Sequence, residues 1–470
     1  MCGICGVYGS DEAANFCYLM SYALQHRGQE SAGMGVSDGS SIKLEKRMGW
    51  VNQVFDEKTL QALQGHIAQG HVRYSTSGSS SLKNAQPFGY KKNGFDIELL
   101  LSHNGNLVNI ERNRELLIRE GSELPSDSDS EVLLHLIAKA EGKTLEEKVI
   151  YALTQPEGRF DVPKGSYTLI VSDHETLIGL TDGFRPLVLG QFNGAHVLAS
   201  ETVALDLIGA EVKYHLGPGD MFVIDNNGPR KVEGKIPVKP PCIFEYIYFA
   251  RPDSILWGDP KDVYTKRKKL GARLAKDSHI DADVVIAVPD SGVPHAIGYS
   301  QESGIPYEMG LTRNHYIGRT FIEPHQRIRD FGLRIKLNVI RSVVNGKRVI
   351  VVDDSIVRGT TTRKLVKLLK DVGAKDVYLR IASPPIDESC YYGIDTPTRK
   401  ELIASSKSIE ETRRYIGADN LAYLSREGMM AVLGNGRDYC SACFVGGIHP
   451  VEFTLPNGQL STIPRQRLSL

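Results

Sequence analysis

Apolar positions recur along this chain with two different periods. Through residues 3–226 they alternate over short runs that glycines keep interrupting, with helical pieces between them. The clearest of these strands is Ile97-Glu98-Leu99-Leu100-Leu101, and residues 132–140 carry a helical apolar face. Beyond residue 241 the apolar runs lengthen, and each is followed by an amphipathic stretch. Residues 349–352 are uninterrupted Val and Ile; Leu365, Val366, Leu368, Leu369 and Val372 then share one helical face, and Gly373 supplies a stop. Such alternation predicts a parallel sheet buried on both faces. A second run, 282–288, ends at Pro289-Asp290-Ser291-Gly292-Val293-Pro294. Between the halves, residues 228–241 are rich in Pro, Gly and Lys without period, a linker signature that puts a boundary near Lys235. The aromatic-rich run 242–252 that follows reads as a strand. Domains are therefore predicted over 2–234 and 235–464, with a frayed tail at 465–470.

Composition narrows the class. The 470 residues are 41% hydrophobic and 24% charged, as in soluble globular proteins. Lys plus Arg equals Asp plus Glu at 56 each, so no basic excess draws the chain to nucleic acid or to an anionic membrane. No apolar run approaches a transmembrane span, and the start reaches glycine and acidic residues too soon for a secretory signal. A cytoplasmic setting is expected, in which the 7 cysteines are read as catalytic or metal-binding before disulfide-forming.

The first of them opens the chain, in Met1-Cys2-Gly3-Ile4-Cys5-Gly6. Removal of the methionine would leave Cys2 with a thiol and a free α-amine on one carbon skeleton. That amine, with a reference pKa of about 7.7–8.0, can take the thiol proton unaided. Three loop-like stretches accompany it: 25–33, 70–78 and 102–106; a fourth, 126–131, opens the helix at 132. Together they hold what cleavage of a side-chain amide requires. Asn104 and the Gly105 N–H can stabilise a tetrahedral oxyanion, typically by about 3 kcal/mol per donor. Arg73 suits a carboxylate, and Asp129 suits an ammonium group.

Cys2-Gly3-Ile4, 70–78, 102–106 and 128–131 resemble the glutaminase domain of the class II glutamine amidotransferases. The resemblance implies the four-layer α/β/β/α sandwich of N-terminal-nucleophile hydrolases. It assigns Cys2 as nucleophile, Asn104 and Gly105 as oxyanion hole, and Arg73 and Asp129 as ligands of glutamine's carboxylate and amine. Some family members cleave a propeptide to free the cysteine; here Met1 precedes Cys2, so methionine removal suffices or a leader was omitted.

In the second half, Val349-Ile350-Val351-Val352-Asp353-Asp354-Ser355-Ile356-Val357-Arg358-Gly359-Thr360-Thr361 places paired acids and a hydroxyl-rich loop between a buried strand and a helix start. Free N–H groups there suit a phosphate, and the two carboxylates suit vicinal ribose hydroxyls. No Gly-Lys-Ser/Thr follows, so it is not a Walker loop. The motif resembles the phosphoribosyl diphosphate (PRPP) motif of type I phosphoribosyltransferases, and Asp290-Ser291-Gly292 resembles their diphosphate loop. The resemblance implies Asp353 and Asp354 on the ribose, Ser355, Arg358, Gly359, Thr360 and Thr361 on the 5′-phosphate, and one Mg²⁺ per subunit shared by Ser291, Asp353 and Asp354. Residues 313–338 show no obvious strand and hold many cations, Arg319 and Lys336 among them, which reads as a lid over the diphosphate.

Cys440-Ser441-Ala442-Cys443 with the distant Cys242 and Cys390 is compatible with a four-thiolate site for zinc or a [4Fe–4S] cluster. Cys5 and Cys17 read as core residues. Joined in one chain, the halves resemble the PRPP amidotransferases, in the subset whose [4Fe–4S] cysteines fall where these four do. That resemblance implies conversion of PRPP, glutamine and water to 5-phospho-β-D-ribosylamine, diphosphate and glutamate, the committing step of purine synthesis. It further implies feedback by purine nucleotides, and a homodimer or homotetramer. A PRPP-binding regulator without transferase activity is disfavoured by the neutral charge and the N-terminal cysteine domain; another class II amidotransferase would lack 349–361; a bare PRPP-dependent glutaminase would make no ribosylamine.

Overall fold

The computed structural model describes residues 1–74, 79–92, 96–154, 159–314, 337–396, 398–434, 439–447 and 449–453. Arg319, Lys336 and the rest of the expected lid core lie outside the described residues, as does the tail.

Two antiparallel sheets face each other in the first half. One runs Glu211–His215, Val188–Phe192, Ala195–Ala199, Gly3–Tyr8, Ile67–Arg73, Ser31–Ser37, Ile42–Met48. The other runs Gly228–Val232, Met221–Asp225, Leu177–Thr181, Gly165–Ser172, Asp96–Leu107, Phe88–Lys92. Period-2 alternation sends one set of side chains, including Ile4, Ile67, Ile170, Leu177 and Leu198, into the layer between the sheets. The opposite sets pack on helices: Cys5, Val7, Ala68 and Val72 against Ala13–Ala23, and Leu101, Leu169 and Val171 against Asp129–Lys139 and Leu145–Thr154. This is the expected four-layer sandwich, with Cys5 and Cys17 buried in its core.

Several stretches that read as loops are strands. Residues 31–33, 70–73 and 102–106 all sit inside ladders. Their glycines and hydroxyl residues mark close approach, not turns. A Cβ on Gly35 would lie 2.3 Å from Leu100, and one on Gly70 2.5 Å from Ser21 Oγ. Likewise Gly228–Val232, read as the start of the linker, is an edge strand, where Pro229 is tolerated.

The second half carries a four-stranded parallel sheet in the order Val284–Ala287, Arg348–Asp353, Asp376–Ile381, Asn420–Tyr423. Its strands are buried on both faces. Val285, Ala287, Ile350 and Val352 pack toward Val263–Asp277, while Val284, Ile286, Val349 and Val351 pack toward Thr360–Asp371. The short antiparallel pair Leu311–Arg313 and Leu337–Val339 brackets the expected lid segment and has no clear signal in the sequence.

The run 242–252 is not a strand. Glu245–Phe249 forms a wide helical turn, closed by Ala250 N donating to Glu245 O at 3.1 Å. Tyr246 and Ile247 enter the core while Phe249 turns to a cavity, and Arg267 donates to the Tyr246 and Ala250 carbonyls at 2.7 and 2.9 Å. A two-faced strand cannot serve those several directions. One apolar cluster crosses the join, combining Met1 and Phe184 with Cys242, Tyr246, Tyr392 and Phe444.

Candidate functional site

Cys2 stands buried at the head of Gly3–Tyr8, a central strand of its sheet. Its backbone N–H donates to Asn104 Oδ1 at 3.1 Å, its carbonyl accepts from Arg27 Nε at 3.0 Å, and its thiol donates to the Tyr74 carbonyl at 3.6 Å. Asn104 reaches it from the opposing sheet, in mid-strand rather than in the hairpin turn that Asn-Gly often forms. With Oδ1 occupied, Asn104 Nδ2 is a buried donor without an acceptor among the described residues. A buried unsatisfied donor costs roughly 1–3 kcal/mol, and it is the group a developing oxyanion would satisfy.

Gly105 has no room for a side chain, because a Cβ would lie 2.0 Å from Ser166 O. His103, beside it, bridges Ser130 Oγ at 2.9 Å and Ser166 O at 3.1 Å. Arg73 ends the strand next to Cys2's and is buried, its guanidinium 3.4 Å from Glu30 and 3.3 Å from Ser79 O. Asp129, first residue of its helix, accepts from Leu107 N at 2.8 Å, which brings it to the end of the Asn104 strand. Met1 is buried, and desolvation pushes its amine down to about 5. The amine therefore belongs to Met1 until that residue is removed, and only then does it fall on Cys2.

Across the join, Val284–Ala287 and Arg348–Asp353 are adjacent parallel strands, so their C-terminal loops meet. Asp354 accepts from Ser291 Oγ at 2.5 Å and Ser355 Oγ at 2.7 Å, and its N–H donates to Asp353 Oδ1 at 2.9 Å. Burial, then the neighbouring Asp354 charge, holds Asp353 well above the usual carboxylate range. Burial also raises Asp354, against the pull of Ser291, Ser355 and Arg267. Two perturbed carboxyls at a cavity mark a place for a cation or for hydroxyl donors. Gly359, with φ +73°, turns the chain into Thr360–Asp371. Asp353, Asp354, the loop 355–361 and Ser291 line a cavity of about 420 Å³. Arg358 pairs outward with Glu401 at 3.1 Å, and the exposed Asp290 pairs with Arg313 at 2.8 Å. A Cβ on Gly292 would come within 2.7 Å of two carbonyls, those of Val288 and Val352.

Tyr74, Phe244 and Phe249 line the same cavity. The chain segment that accepts the thiol's hydrogen bond thus also walls the cavity beside Asp353 and Asp354. Sequence reasoning did not single out Tyr74, nor the buried charges Arg27, Arg185, Glu201, Glu245 and Arg267. Arg27 lies in a stretch that drew notice for its composition, but only long-range pairing gives it a partner.

The four predicted cluster cysteines become neighbours. Cys242 and Cys440 sit on a two-residue bridge, Asp387 N donates to the Cys443 carbonyl at 3.1 Å, and Tyr392 N donates to Cys390 Sγ at 3.3 Å. Burial, opposed by Arg185, pushes Cys242 to about 11; burial and then the Cys242 charge raise Cys440, and burial and then the Cys390 charge raise Cys443. Among the described residues no three His, Cys, Asp or Glu side chains converge as a bound metal requires.

Comparison with known proteins follows the same division. The glutamine amidotransferase domain family matches residues 71–207 and the phosphoribosyl transferase domain family matches 261–384. Amidophosphoribosyltransferase 2, chloroplastic, of Arabidopsis thaliana is 48% identical over 462 residues, covering 96% of this chain and 80% of the relative. Amidophosphoribosyltransferase of Bacillus subtilis is 44% identical over 96% of this chain and 94% of its own length. The solved structure of glutamine PRPP amidotransferase from B. subtilis, complexed with ADP and GMP, superposes with a TM-score of 0.88 at 42% identity, over 98% of this chain and 99% of that one. Since the likeness runs through both sites and nearly end to end, this chain belongs to the amidophosphoribosyltransferases, the glutamine-dependent enzymes that transfer nitrogen to PRPP.

Proposed function

We propose that Cys2, freed of Met1, is the nucleophile that releases ammonia from glutamine, and that the ammonia passes to PRPP in the cavity beside Asp353 and Asp354. The observation that carries this is Tyr74, whose carbonyl accepts from the thiol and which lines that cavity. The Cys2 thiol passes its proton to the α-amine, and the resulting thiolate attacks the glutamine amide carbon. Asn104 Nδ2 and the Gly105 N–H receive the oxyanion, while Arg73 and Asp129 hold the amino-acid end of glutamine. Collapse, with the proton handed from the α-ammonium to the leaving nitrogen, expels ammonia, and water hydrolyses the thioester to glutamate. The ammonia attacks the anomeric carbon, and diphosphate leaves. An enclosed passage keeps ammonia from bulk water, where it would be protonated and no longer nucleophilic.

Asp353 and Asp354 would hold the ribose, and loop 355–361 would hold the 5′-phosphate on a helix N-terminus. Ser291, Asp353 and Asp354 fit one Mg²⁺ per subunit, since their oxygens already meet and both carboxyls are under strain for a cation. Bound there, it would neutralise the diphosphate. Cys242, Cys390, Cys440 and Cys443 suit a [4Fe–4S] cluster, with zinc as the alternative. Four thiols gathered near the Arg185 cation have the donor chemistry such a group takes, though they do not converge on one point, and the group would supply structure or oxygen sensing, since neither half-reaction needs an electron. The glutaminase domain extends to about 234 and the transferase domain to 464. The product is 5-phospho-β-D-ribosylamine, at the head of purine synthesis in the cytoplasm; purine nucleotides inhibit, and the enzyme is a homo-oligomer. No described helix is long and apolar enough to cross a membrane.

An anaerobic assay tests the reading. Glutamate and ribosylamine should form in equal amounts when PRPP is present, by a brown protein. Glutamate without ribosylamine would reduce the chain to a glutaminase. A colourless active protein with stoichiometric zinc would replace the cluster.

A further inference from the structure

Four charged side chains lie wholly buried at the join: Arg27, Arg185, Glu201 and Glu245. Removing charges from water costs several kcal/mol per ion, so such a group persists only where its geometry is closely satisfied. Here it is. Glu245 accepts from Arg27 Nη1 and Nη2 at 3.1 and 2.8 Å, a two-pronged contact, and from Arg185 at 3.4 Å. Arg27 also pairs with Glu201, which is held in turn by Arg251 N at 2.9 Å and Ser254 Oγ at 2.6 Å. The remaining guanidinium nitrogen, Arg27 Nε, donates to the carbonyl of Cys2 at 3.0 Å. The fork geometry is rigid, so the direction of that last bond is set by where the two carboxylates stand.

Glu245 belongs to the other half of the chain. It opens the Glu245–Phe249 turn, whose carbonyl ends are fixed by Arg267. The same turn, with Phe244 before it, presents Tyr248 and Phe249 to the phosphoribosyl cavity.

We propose that Glu245 is a positioning residue for the Cys2 nucleophile, acting through Arg27. Use of glutamine, but not use of ammonia, then depends on a carboxylate supplied from across the join. Without it Arg27 swings to Glu201 and His26, which already meet at 2.8 Å, and releases the Cys2 carbonyl. The inference rests on Cys2 being the nucleophile.

The test is steady-state kinetics of the full-length holoenzyme, with glutamine or ammonium as nitrogen source. Glu245→Gln should lower kcat with glutamine by about 30- to 100-fold, with KM for glutamine within about threefold, as small misplacements of reacting groups do. Its rate with ammonium should stay within about twofold of wild type. Glu245→Asp, with the carboxylate drawn back one methylene, should fall between, and serves the same comparison should the Gln variant not fold. In a double-mutant cycle, Arg27→Met with the Glu245 variant should be no slower with glutamine than the slower single variant. Three results overturn the proposal: a folded Glu245 variant within threefold of wild type on glutamine, a parallel loss with both nitrogen sources, or multiplicative losses in the cycle. Cys2→Ala in the otherwise wild-type chain, which leaves no side-chain nucleophile at that position, separates the two readings. If it still consumes glutamine, the nucleophile is misassigned, whatever Glu245 does.

Discussion

Beside Cys2 the unsatisfied group is a donor, the Nδ2 of Asn104; across the join the surplus is of acceptors, the carboxyls of Asp353 and Asp354. Asn104 and Asp354 are buried and Asp353 half-buried; the first site holds a donor unpaired among the described residues, the second a pair of carboxyls that burial raises, Asp353 further by the Asp354 charge. On the proposed reading, the first pocket is set for negative charge that appears only as an amide carbonyl becomes tetrahedral, and the second for groups that arrive with the substrate, hydroxyl donors and a cation. The glutaminase end is correspondingly tight, with its donor between two packed sheets, whereas the transferase end opens on about 420 Å³ of cavity. A site that stabilises a transient charge gains from rigidity, and one that must admit a phosphorylated sugar needs room.

Substitutions can break this contrast. The largest effect should come from Cys2→Ala, expected to cut the glutamine-dependent rate by roughly 10⁴-fold or more while sparing the ammonium-dependent rate. Loss of both in a folded variant would mean that the two ends are not separable. Asp353→Ala or Asp354→Ala should instead lower transfer from either nitrogen source, by on the order of 10³-fold; a defect seen with glutamine alone would place these acids in the wrong half-reaction. Asn104→Ala, which removes the waiting donor, should cost about 10²–10³ in kcat with glutamine and little in KM, measured against ammonium as the internal control. The smallest effect concerns stability. A carboxyl raised by folding contributes stability that is intact below its unfolded value, about 3.9, and is lost as pH climbs through the folded one. Substrate-free Asp353→Asn should therefore melt a few degrees above wild type near pH 8, with the gap closing below about pH 4. An unchanged gap between those pH values would show that neither burial nor the Asp354 charge raises this carboxyl in the folded state.

The transferase half was the more legible of the two in the sequence. Local order suffices there: 349–352 is buried on both faces, the acids follow at once, and the helix begins at Thr360. In the glutaminase half the motif residues were found but their backbone was misread, because Gly70 and Gly105 sit in strands for lack of space, and composition alone cannot tell a tight ladder from a turn. Arg27, Glu201 and Glu245 escaped notice for a related reason. Their partners lie 174 and 218 positions away, and a charged residue in a sequence reads as surface until something distant claims it.

Gly393, at φ +100°, rests so near Gly105 that a Cβ there would meet the Gly105 carbonyl carbon at 2.8 Å. The backbone that presses on Gly105 is therefore contributed by the second half of the chain, at a residue without a side chain. Anyone grafting a foreign acceptor domain onto this N-terminal module would have to bring a glycine to that spot; an alanine in its place would collide with the Gly105 backbone and hold the two parts of the chimera apart.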